Sequence, residues 1–267
     1  MTNHFGSIDL IPPKLQTAYT PHSLIYQASY YDVISVSSRL NGEKYLIRTL
    51  NTNCKFFMEN PSLASTLFVK EILHLLNRYR RNEEEEFQIV EDFEIFQDKM
   101  AFVMRPYSSL GNKKKVEDDI ETMIKSVISD LDTITNQMQL LAPAIFQENI
   151  CCYEKMELYF LSDYGSGYNS TFSKSSNDAE FKRKDTGLYA LGMIALDLLQ
   201  GPVIQQSKAS SLEKSTLNFA EVYTRLETIK LKRLKKILLK LLNPSGFSNE
   251  MRSFSLKSKE IFFISRI

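Results

Sequence analysis

Residues 157–165 join a short apolar strand to the polar sequence Asp163–Gly165, and Asn149 lies eight residues before that strand. Asp163 and Asn149 offer a carboxylate and a carboxamide whose oxygen atoms can serve a functional site. The same side chains also commonly bond to neighbouring backbone amides or cap turns, which is a purely structural role. These two residues are therefore the first candidates for chemistry in this chain, with both roles open.

Composition excludes several functional classes. The 267 residues fit one large domain or two small ones, and the apolar and charged fractions of 43% and 24% are ordinary for a globular protein. A net charge of +1 gives no general case for binding nucleic acid or an acidic membrane. No apolar stretch approaches the roughly 18 residues of a spanning helix, and the N-terminus lacks the pattern of a signal peptide. We therefore expect no nucleic-acid or membrane partner.

The cysteines and histidines argue against a disulfide framework and a zinc site. The chain has three cysteines, of which Cys151 and Cys152 are adjacent and Cys54 is distant. An odd number with one neighbouring pair does not indicate paired disulfides. With three histidines, no zinc-ligand spacing is present. These features predict a reducing compartment, and we expect a cytoplasmic location.

The first third of the chain predicts a small sheet with one helix. Residues 1–22 contain three prolines and little periodicity, which predicts an N-terminal tail. Asn41-Gly42 is a strong hairpin signal between two apolar segments, and apolar residues recur at helical spacing soon after it. The predicted elements are the paired strands Asp32–Leu40 and Glu43–Leu50, the helix 62–79 and a second hairpin within 87–105.

The remainder of the chain predicts mainly helices. One segment is apolar nearly all round, which indicates a buried helix, and another is rich in Ser, Asn and Gly, which indicates a flexible loop. The predicted elements are helix 116–141, the loop 166–178, the buried helix 187–200, helices within 218–242 and a last element at 250–264. A β-rich part followed by a helical part is an α+β pattern, and we place the link between two lobes near Arg105–Tyr107.

The order of these segments resembles that of protein kinases. In that family a catalytic loop, a metal-binding Asp-Phe-Gly segment and a central buried helix follow one another, as residues 142–149, Asp163–Gly165 and 187–200 do here. The resemblance covers roughly residues 24–264, and order and spacing carry it. It implies a two-lobed α+β fold in one domain, with an N-terminal lobe 23–106 and a C-terminal lobe 107–267.

The resemblance implies ATP as a candidate cofactor, but the segments that would hold the nucleotide depart from the family pattern. The glycine-rich loop matches Tyr26–Val33, which has no glycine, so its tyrosines would hold the backbone away from a phosphate and an ordinary edge hairpin is favoured. Leu46 replaces a small alanine above the adenine ring and would fill part of that slot. The candidate nucleotide-binding residues are Leu46, Arg48, Glu71, Met104, Arg105, Asn149 and Asp163.

Arg48 stands where the family has a strand lysine, and Glu71 matches the glutamate of its partner helix. Arginine keeps the charge but presents a wide fork instead of a compact ammonium. We expect Arg48 and Glu71 to form a structural ion pair. Contact of Arg48 with a phosphate and exposure of Arg48 in an open cleft are the alternatives.

Asn149 and Asp163 match the residues that hold Mg²⁺ in the family, so the resemblance implies a magnesium site there. Other catalytic positions are lost. Ala144 stands at the expected catalytic aspartate and Phe146 at a catalytic-loop lysine. A general base typically contributes ~10²–10⁴ in rate, and alanine cannot supply one. Two further losses are Ala142 for a packing histidine and Gly187 for an aspartate that holds the loop.

Two features concern the scaffold. Glu180 and Arg252 resemble the buried ion pair that closes the family's activation segment, and a guanidinium suits such a bidentate pair. The basic amphipathic segment 229–242 predicts a helix whose apolar stripe faces the core, with a membrane-surface or calmodulin-type segment as the alternative.

Three hypotheses follow for function. The leading one is a pseudokinase that acts as a binding, scaffolding or allosteric module with a protein partner. The second is a divergent active kinase that phosphorylates Ser or Thr of proteins with a base from another residue. The third is an unrelated α+β interaction domain. The sequence gives no partner identity and no oligomeric state.

Overall fold

The structure is a computed structural model that describes residues 8–79, 89–110, 115–153, 158–169, 177–201 and 219–242. The chain divides into two compact units. The first unit comprises residues 1–111 with 126–175, and the second comprises residues 112–125 with 176–267. Arg48, Glu71, Asn149 and Asp163 all belong to the first unit, so the candidate cleft lies within it.

A five-stranded antiparallel sheet in the order β1-β2-β3-β5-β4 begins the first unit. Its strands are β1 (Tyr19–Gln27), β2 (Tyr31–Ser38), β3 (Lys44–Leu50), β4 (Val90–Phe96) and β5 (Lys99–Met104). The hairpin predicted at Asn41-Gly42 is confirmed, and Gly42 has the positive φ of 74° that favours glycine. The hairpin predicted within 87–105 is confirmed as β4 and β5.

The two faces of the sheet are covered by different elements. Residues paired directly across strands share a face, so Arg48 lies beside Val33 and Phe102 on what we call the inner face. After the short helix α2 (Lys55–Glu59), helix α3 (Pro61–Tyr79) packs there, with the ring of Phe68 5.3 Å from that of Phe102. The helix predicted over 62–79 is thereby confirmed, and it sets the position of Glu71.

The outer face is covered by the N-terminal segment, which corrects the prediction of a tail for the described part of residues 1–22. A 3₁₀ turn, Ile8–Leu10, leads into helix α1 (Pro13–Ala18), and the chain then enters β1. Ile11 and Leu15 are buried in one cluster with the outer-face residues Ile34, Val36, Ile47, Ala101 and Val103. Proline in the first helical turn is compatible with helix because its missing N–H has no intrahelical role there. The prolines therefore mark a helix start and not an irregular segment.

The loop and strands around the candidate residues follow a helix that ends early. Helix α4 (Glu117–Asp132) passes into a π turn, Thr133–Gln137, whereas the sequence predicts helix to residue 141. The hydroxyls of Thr133 and Thr135 donate to backbone carbonyls four residues earlier, an arrangement that bends helices. The elements that follow are a 3₁₀ turn at Gln147–Asn149, strand β7 (Ile150–Tyr153), strand β8 (Leu158–Leu161) and helix α5 (Ser166–Asn169), and β6 (Ser108–Ser109) pairs with β7.

The described helices of the second unit are α6 (Asn177–Gln200), α7 (Phe219–Glu227) and α8 (Lys232–Leu242). The central helix α6 thus begins ten residues before the predicted start at 187. A Cβ on Gly192 would lie 2.8 Å from Leu242, so α6 and α8 approach closely at this glycine. The apolar stripe of α8 is buried, as expected for a helix that packs on the core. The element predicted at 250–264 lies outside the described residues.

None of the helices that the structure describes is both long enough and apolar enough to cross a membrane.

Leu15 tests the role of the N-terminal segment. Leu15 is fully buried, and removal of a buried leucine side chain typically costs ~2–5 kcal/mol. Leu15→Ala should therefore lower the free energy of unfolding by several kcal/mol in a denaturant titration. Leu40→Ala is the matched control, because Leu40 is 96% exposed and should shift the midpoint little. Equal small shifts would contradict the packing of α1 on the sheet.

Candidate functional site

A buried ion pair between Arg48 and Glu71 lies at the centre of the inner face. Arg48 Nη1 donates to Glu71 Oε1, and the two side chains are 0% and 2% exposed. Arg48 Nε donates to the hydroxyl of Tyr107 at 2.8 Å. The predicted ion pair is therefore present. The alternative of an exposed Arg48 is wrong, because strand β3 places residue 48 beneath helix α3.

Aromatic rings enclose the guanidinium of Arg48. Its central carbon lies 5.0 Å from the ring centroid of Tyr31 and 4.9 Å from that of Tyr107. Phe102 and Phe160 lie at 5.8 Å each. Such cation–π contacts strengthen when water is excluded. Nη2 of Arg48 is buried and has no hydrogen-bond partner among the described residues. The arginine thus sits in an aromatic enclosure, and the contacts it makes are with protein groups.

The remaining candidates for adenine contact belong to the sheet core and its edge. Leu46 is 8% exposed and pairs in register with fully buried Met104. The backbone N–H of Arg105 donates to the carbonyl of Ile89 at 3.2 Å, and its guanidinium is 2.7 Å from a carboxylate oxygen of Glu91. A shallow depression of about 240 Å³ is lined by Glu43, Lys44, Tyr45, Arg105 and Pro106. Because Tyr45 packs against the outer-face cluster, this depression does not lie on the side of Arg48.

Asp163 contacts the turn between β1 and β2. Its Oδ2 accepts hydrogen bonds from the backbone N–H of Ser29 at 3.2 Å and from Ser29 Oγ at 2.9 Å. Its Oδ1 is buried without a hydrogen-bond partner among the described residues. Burial and, second, the carboxylate of Glu71 raise the pKa of Asp163 to about 6. The φ of 56° at Asp163 is left-handed, a conformation that Asp adopts more readily than most residues.

Tyr30 fills the space between this turn and the segment Asp163–Gly165. Its side chain is fully buried, and its hydroxyl donates to Glu71 Oε2. A Cβ on Gly165 would lie 2.5 Å from the ring of Tyr30 and 3.2 Å from Ser29, so only glycine leaves room for this contact. The turn is therefore more than the ordinary edge hairpin that the sequence favours. The turn places the ring of Tyr30 against Gly165 and the backbone N–H of Ser29 against Asp163.

The side chain of Asn149 is used within its own loop. Its Nδ2 donates to the carbonyl of Ala144, and its Oδ1 accepts from the backbone N–H of Phe146 at 3.2 Å. The backbone carbonyl of Asn149 accepts from the N–H of Ser162 at 2.8 Å. Asn149 is fully buried, so its amide orders the loop 144–149 and ties it to the strand before Asp163. This geometry is that of a turn cap.

Ala144 lies against the segment that follows Asp163. Its backbone N–H donates to Ser166 Oγ at 3.1 Å, and Ser166 Oγ donates to the carbonyl of Asp163 at 2.7 Å. A Cβ on Gly167 would lie 2.3 Å from the carbonyl oxygen of Ala142, so helix α5 rests directly on the loop. The loop therefore presents a methyl group and backbone where a proton acceptor is expected.

A second buried polar contact links α3, α4 and β8. His74 Nε2 lies 2.9 Å from Asp130 Oδ1, and Asp130 Oδ2 accepts from the backbone N–H of Leu161 at 2.7 Å. The ring of His74 is 6.2 Å from that of Tyr164, beside Asp163. This contact holds the strand before Asp163 against the helix that carries Glu71.

The arrangement does not fit a magnesium site. Both polar atoms of the Asn149 side chain bond to loop backbone, and one oxygen of Asp163 is occupied by Ser29. In the described ranges, no three His, Cys, Asp or Glu side chains come together as metal ligands could. Of the two side chains, Oδ1 of Asp163 alone lacks a hydrogen-bond partner among the described residues, and one oxygen does not make a magnesium site.

Two predicted residues are not placed. Glu180 falls in α6, in the part whose side chains the structure does not describe, and Arg252 lies outside the described residues. Their ion pair stays a prediction. Gly187 also lies on α6.

Sequence reasoning missed Ser29, Tyr30, His74 and Asp130. One available signal was helical spacing: His74 follows Glu71 by three residues and must share its face of α3. Another was Asp130 beside Leu131 in an otherwise apolar stripe of α4. No comparable signal marked Ser29, because its partner is 134 residues away.

Replacing Arg48 should be severely destabilising. Arg48→Ala leaves Glu71 buried without its cation, and breaking one side of such a pair typically costs ~3–5 kcal/mol. Water cannot screen the remaining carboxylate, because both side chains of the pair are buried. The denaturant midpoint should fall sharply.

Arg105→Ala is the matched control for Arg48→Ala. Its side chain is also ion-paired but 46% exposed, and exposed pairs contribute roughly 0–1 kcal/mol. Arg48→Met combined with Glu71→Leu should recover part of the loss, since a buried pair can be replaced by apolar groups of similar volume. Equal shifts for Arg48→Ala and Arg105→Ala would refute the burial of the pair.

Asp163→Asn should stabilise the protein near neutral pH. A carboxyl whose pKa is raised from 3.8 to about 6 by folding binds more protons when folded, so the folded protein gains stability as pH falls through 6. Above pH 6 the buried charge costs up to about 3 kcal/mol, which the neutral amide avoids. The advantage of Asp163→Asn in free energy of unfolding should be largest at pH 7.5 and shrink toward pH 4.5. Exposed Asp98→Asn should show no such dependence, and a loss of stability in Asp163→Asn at both pH values would refute the expectation.

No protein-family model matches the chain, and no curated protein matches it. Among solved structures, the chain is similar to the crystal structure of the kinase Rad53, residues 1–466, in complex with AMP-PNP, with a TM-score of 0.52 and 12% identity. The match covers 86% of this chain and 61% of that chain, so this chain spans less than two thirds of the solved one. A likeness at this identity concerns the fold alone. The predicted two-lobed α+β fold of the protein-kinase type is confirmed.

Proposed function

We propose that this chain is a pseudokinase, a protein-kinase-like domain that does not transfer phosphate and works as a binding, scaffolding or allosteric module. Ala144 carries the proposal. It stands where the fold family places the aspartate that orients the substrate hydroxyl and accepts its proton. Both backbone groups of Ala144 are bonded within the protein, to Ser166 and Asn149. The loop is thereby ordered by groups that perform no proton transfer.

The filled cleft supports the same proposal. Tyr30 and Ser29 occupy the approach to Asp163, while Arg48 is enclosed by rings on the inner face. Phosphate groups would have to displace these contacts before they reached Asp163 or Arg48. A binding role needs no such displacement, because it can use the outer surfaces of the fold. We expect weak or absent binding of ATP.

The partner and setting belong to the proposal as well. We expect a protein partner and a cytoplasmic location, in line with the near-neutral net charge and the three free cysteines. Cys151 is buried, and burial raises the pKa of its thiol to about 11, so this cysteine is not activated as a nucleophile.

One observation favours the alternative of a divergent active Ser/Thr kinase. Burial raises the pKa of Tyr26 to about 12, and the carboxylates of Asp163 and Glu148 both add to this effect. Glu148 is exposed and acts electrostatically on Tyr26, so it is one candidate for the acid that replaces the missing base. In this alternative Glu148 would accept the substrate proton.

The purified chain should not transfer phosphate. Incubation with radiolabelled ATP, Mg²⁺ and generic protein substrates should give no incorporation above that of Asp163→Ala, because general-base assistance is absent at Ala144. Incorporation that disappears in Asp163→Ala would refute the pseudokinase proposal. Incorporation that is also lost in Glu148→Gln but persists in Glu43→Gln, at an exposed residue outside the loop, would identify Glu148 as the base of an active kinase.

ATP should leave the melting temperature unchanged. A ligand that binds only the folded state stabilises it by RT ln(1 + [L]/Kd), so millimolar ATP would reveal even modest affinity. Melting curves with ATP, with ATP and Mg²⁺, and with Mg²⁺ alone should coincide. A magnesium-dependent rise at sub-millimolar ATP would mean that Asn149 and Asp163 rearrange into ligands.

A further inference from the structure

The turn between β1 and β2 is anchored at two carboxylates, and the proposed function does not explain this. The turn comprises Ala28, Ser29 and Tyr30, between the end of β1 and the start of β2. Its base is closed by two backbone hydrogen bonds, from Ala28 N–H to the carbonyl of Tyr31 at 2.8 Å and from Asn51 N–H to the carbonyl of Tyr30 at 2.9 Å. Its tip reaches residues far along the chain.

The first anchor is Asp163. Both the backbone N–H and the hydroxyl of Ser29 donate to the single oxygen Oδ2, at 3.2 and 2.9 Å. The other oxygen, Oδ1, is buried without a hydrogen-bond partner among the described residues. Two hydrogen bonds favour this contact, but an ionised carboxylate is costly to bury when one of its oxygens makes no hydrogen bond. The net free energy that holds Ser29 at Asp163 is therefore small.

The second anchor is Glu71. The hydroxyl of Tyr30 donates to Glu71 Oε2, and the ring of Tyr30 lies against Gly165. The neighbouring Tyr31 is equally buried, but its hydroxyl is 3.5 Å from Glu71 Oε1, at the limit of a hydrogen bond. The two adjacent tyrosines therefore offer the same chemical group to one carboxylate, with one close contact and one marginal contact.

We propose that the Ser29–Tyr30 turn is a releasable latch, which closes the cleft from within through Asp163 and Glu71 and exposes both carboxylates when it opens. This inference rests on the proposed function, in which the cleft is not a phosphotransfer site. Opening changes the surface offered by β1 and by residues 163–165, so a protein partner that binds one form shifts the population toward it.

The test measures local opening without any nucleotide. Hydrogen exchange at the amide of Ser29, which donates to Asp163 Oδ2, reports release of the turn, and thiol labelling of buried Cys151 and Cys152 reports global unfolding. Tyr30→Phe should speed amide exchange about tenfold or more, the usual effect of losing one hydrogen bond to a charged group. Tyr31→Phe, the matched control, should leave exchange within about twofold.

Two outcomes would overturn the latch. One is unchanged exchange at the Ser29 amide in Tyr30→Phe. The other is exchange that rises only in step with the labelling of Cys151 and Cys152, which would mean that the turn opens only when the whole unit unfolds. A faster exchange at unchanged thiol labelling supports the latch.

Ser29→Ala gives an independent arm should Tyr30→Phe fail to fold. This variant removes the hydroxyl that donates to Asp163 Oδ2 at 2.9 Å, so amide exchange at residue 29 should rise about tenfold or more at unchanged thiol labelling. Ser108→Ala, at an exposed serine outside the turn, is the matched control and should leave this exchange within about twofold. Unchanged exchange at residue 29 in Ser29→Ala would overturn the latch.

These readouts separate the latch from the pseudokinase proposal. Phosphate transfer by the unmodified chain would refute the pseudokinase proposal while leaving the exchange data intact. Conversely, a turn that never opens locally would refute the latch in a chain that still transfers no phosphate.

Discussion

The buried pair of Arg48 and Glu71 is the constraint on which the first unit depends. Burial of two opposite charges costs each of them several kcal/mol of hydration free energy. Their attraction offsets this cost only when their other donors and acceptors also have hydrogen-bond partners. Arg48 donates a further hydrogen bond to Tyr107, and Glu71 accepts one from Tyr30. One nitrogen of Arg48 has no hydrogen-bond partner among the described residues, so cation–π contacts with aromatic rings must stabilise that side of the guanidinium.

This demand explains why the cleft is closed. Glu71 has two carboxylate oxygens, and Arg48 takes one of them. The second takes the hydroxyl of Tyr30, which draws the turn between β1 and β2 toward α3. Gly165 permits the ring to come so close, and Ser29 is then within reach of Asp163. The polar residues that the resemblance assigns to a nucleotide site are thus present, and most of their hydrogen bonds are made to other protein groups.

The sequence predicted the elements well where periodicity and turn chemistry are local. The Asn41-Gly42 hairpin and the helix at 62–79 depend on neighbours in sequence, and both are confirmed. The Arg48–Glu71 pair was also predicted, but through the resemblance to protein kinases, which implies a strand cation opposite a helix glutamate. The packing of Leu15 on the outer face was not, since it depends on a surface built from residues 34–103.

The candidate site was less predictable than the fold for a physical reason. Asn149 and Asp163 could be identified as polar residues beside a strand, but whether their oxygens face a ligand or the protein depends on distant donors. For Asp163 the donor is Ser29. For Asn149 the partner is the carbonyl of Ala144, whose sequence position drew attention only because it lacks the family's carboxylate. Spacing identifies such residues and cannot decide between the two roles.

A strongly perturbed carboxyl in a cleft is usually a sign of catalysis, and Asp163 shows why that inference is only probabilistic. The rise of its pKa to about 6 corresponds to a net cost of about 3 kcal/mol for the ionised carboxyl at neutral pH. The two hydrogen bonds from Ser29 act against burial, and this net rise already includes their effect. The contact with the turn therefore stabilises the charge without offsetting its burial. The perturbed pKa of Asp163 is therefore explained by the closure of the turn, without any reaction at the carboxyl.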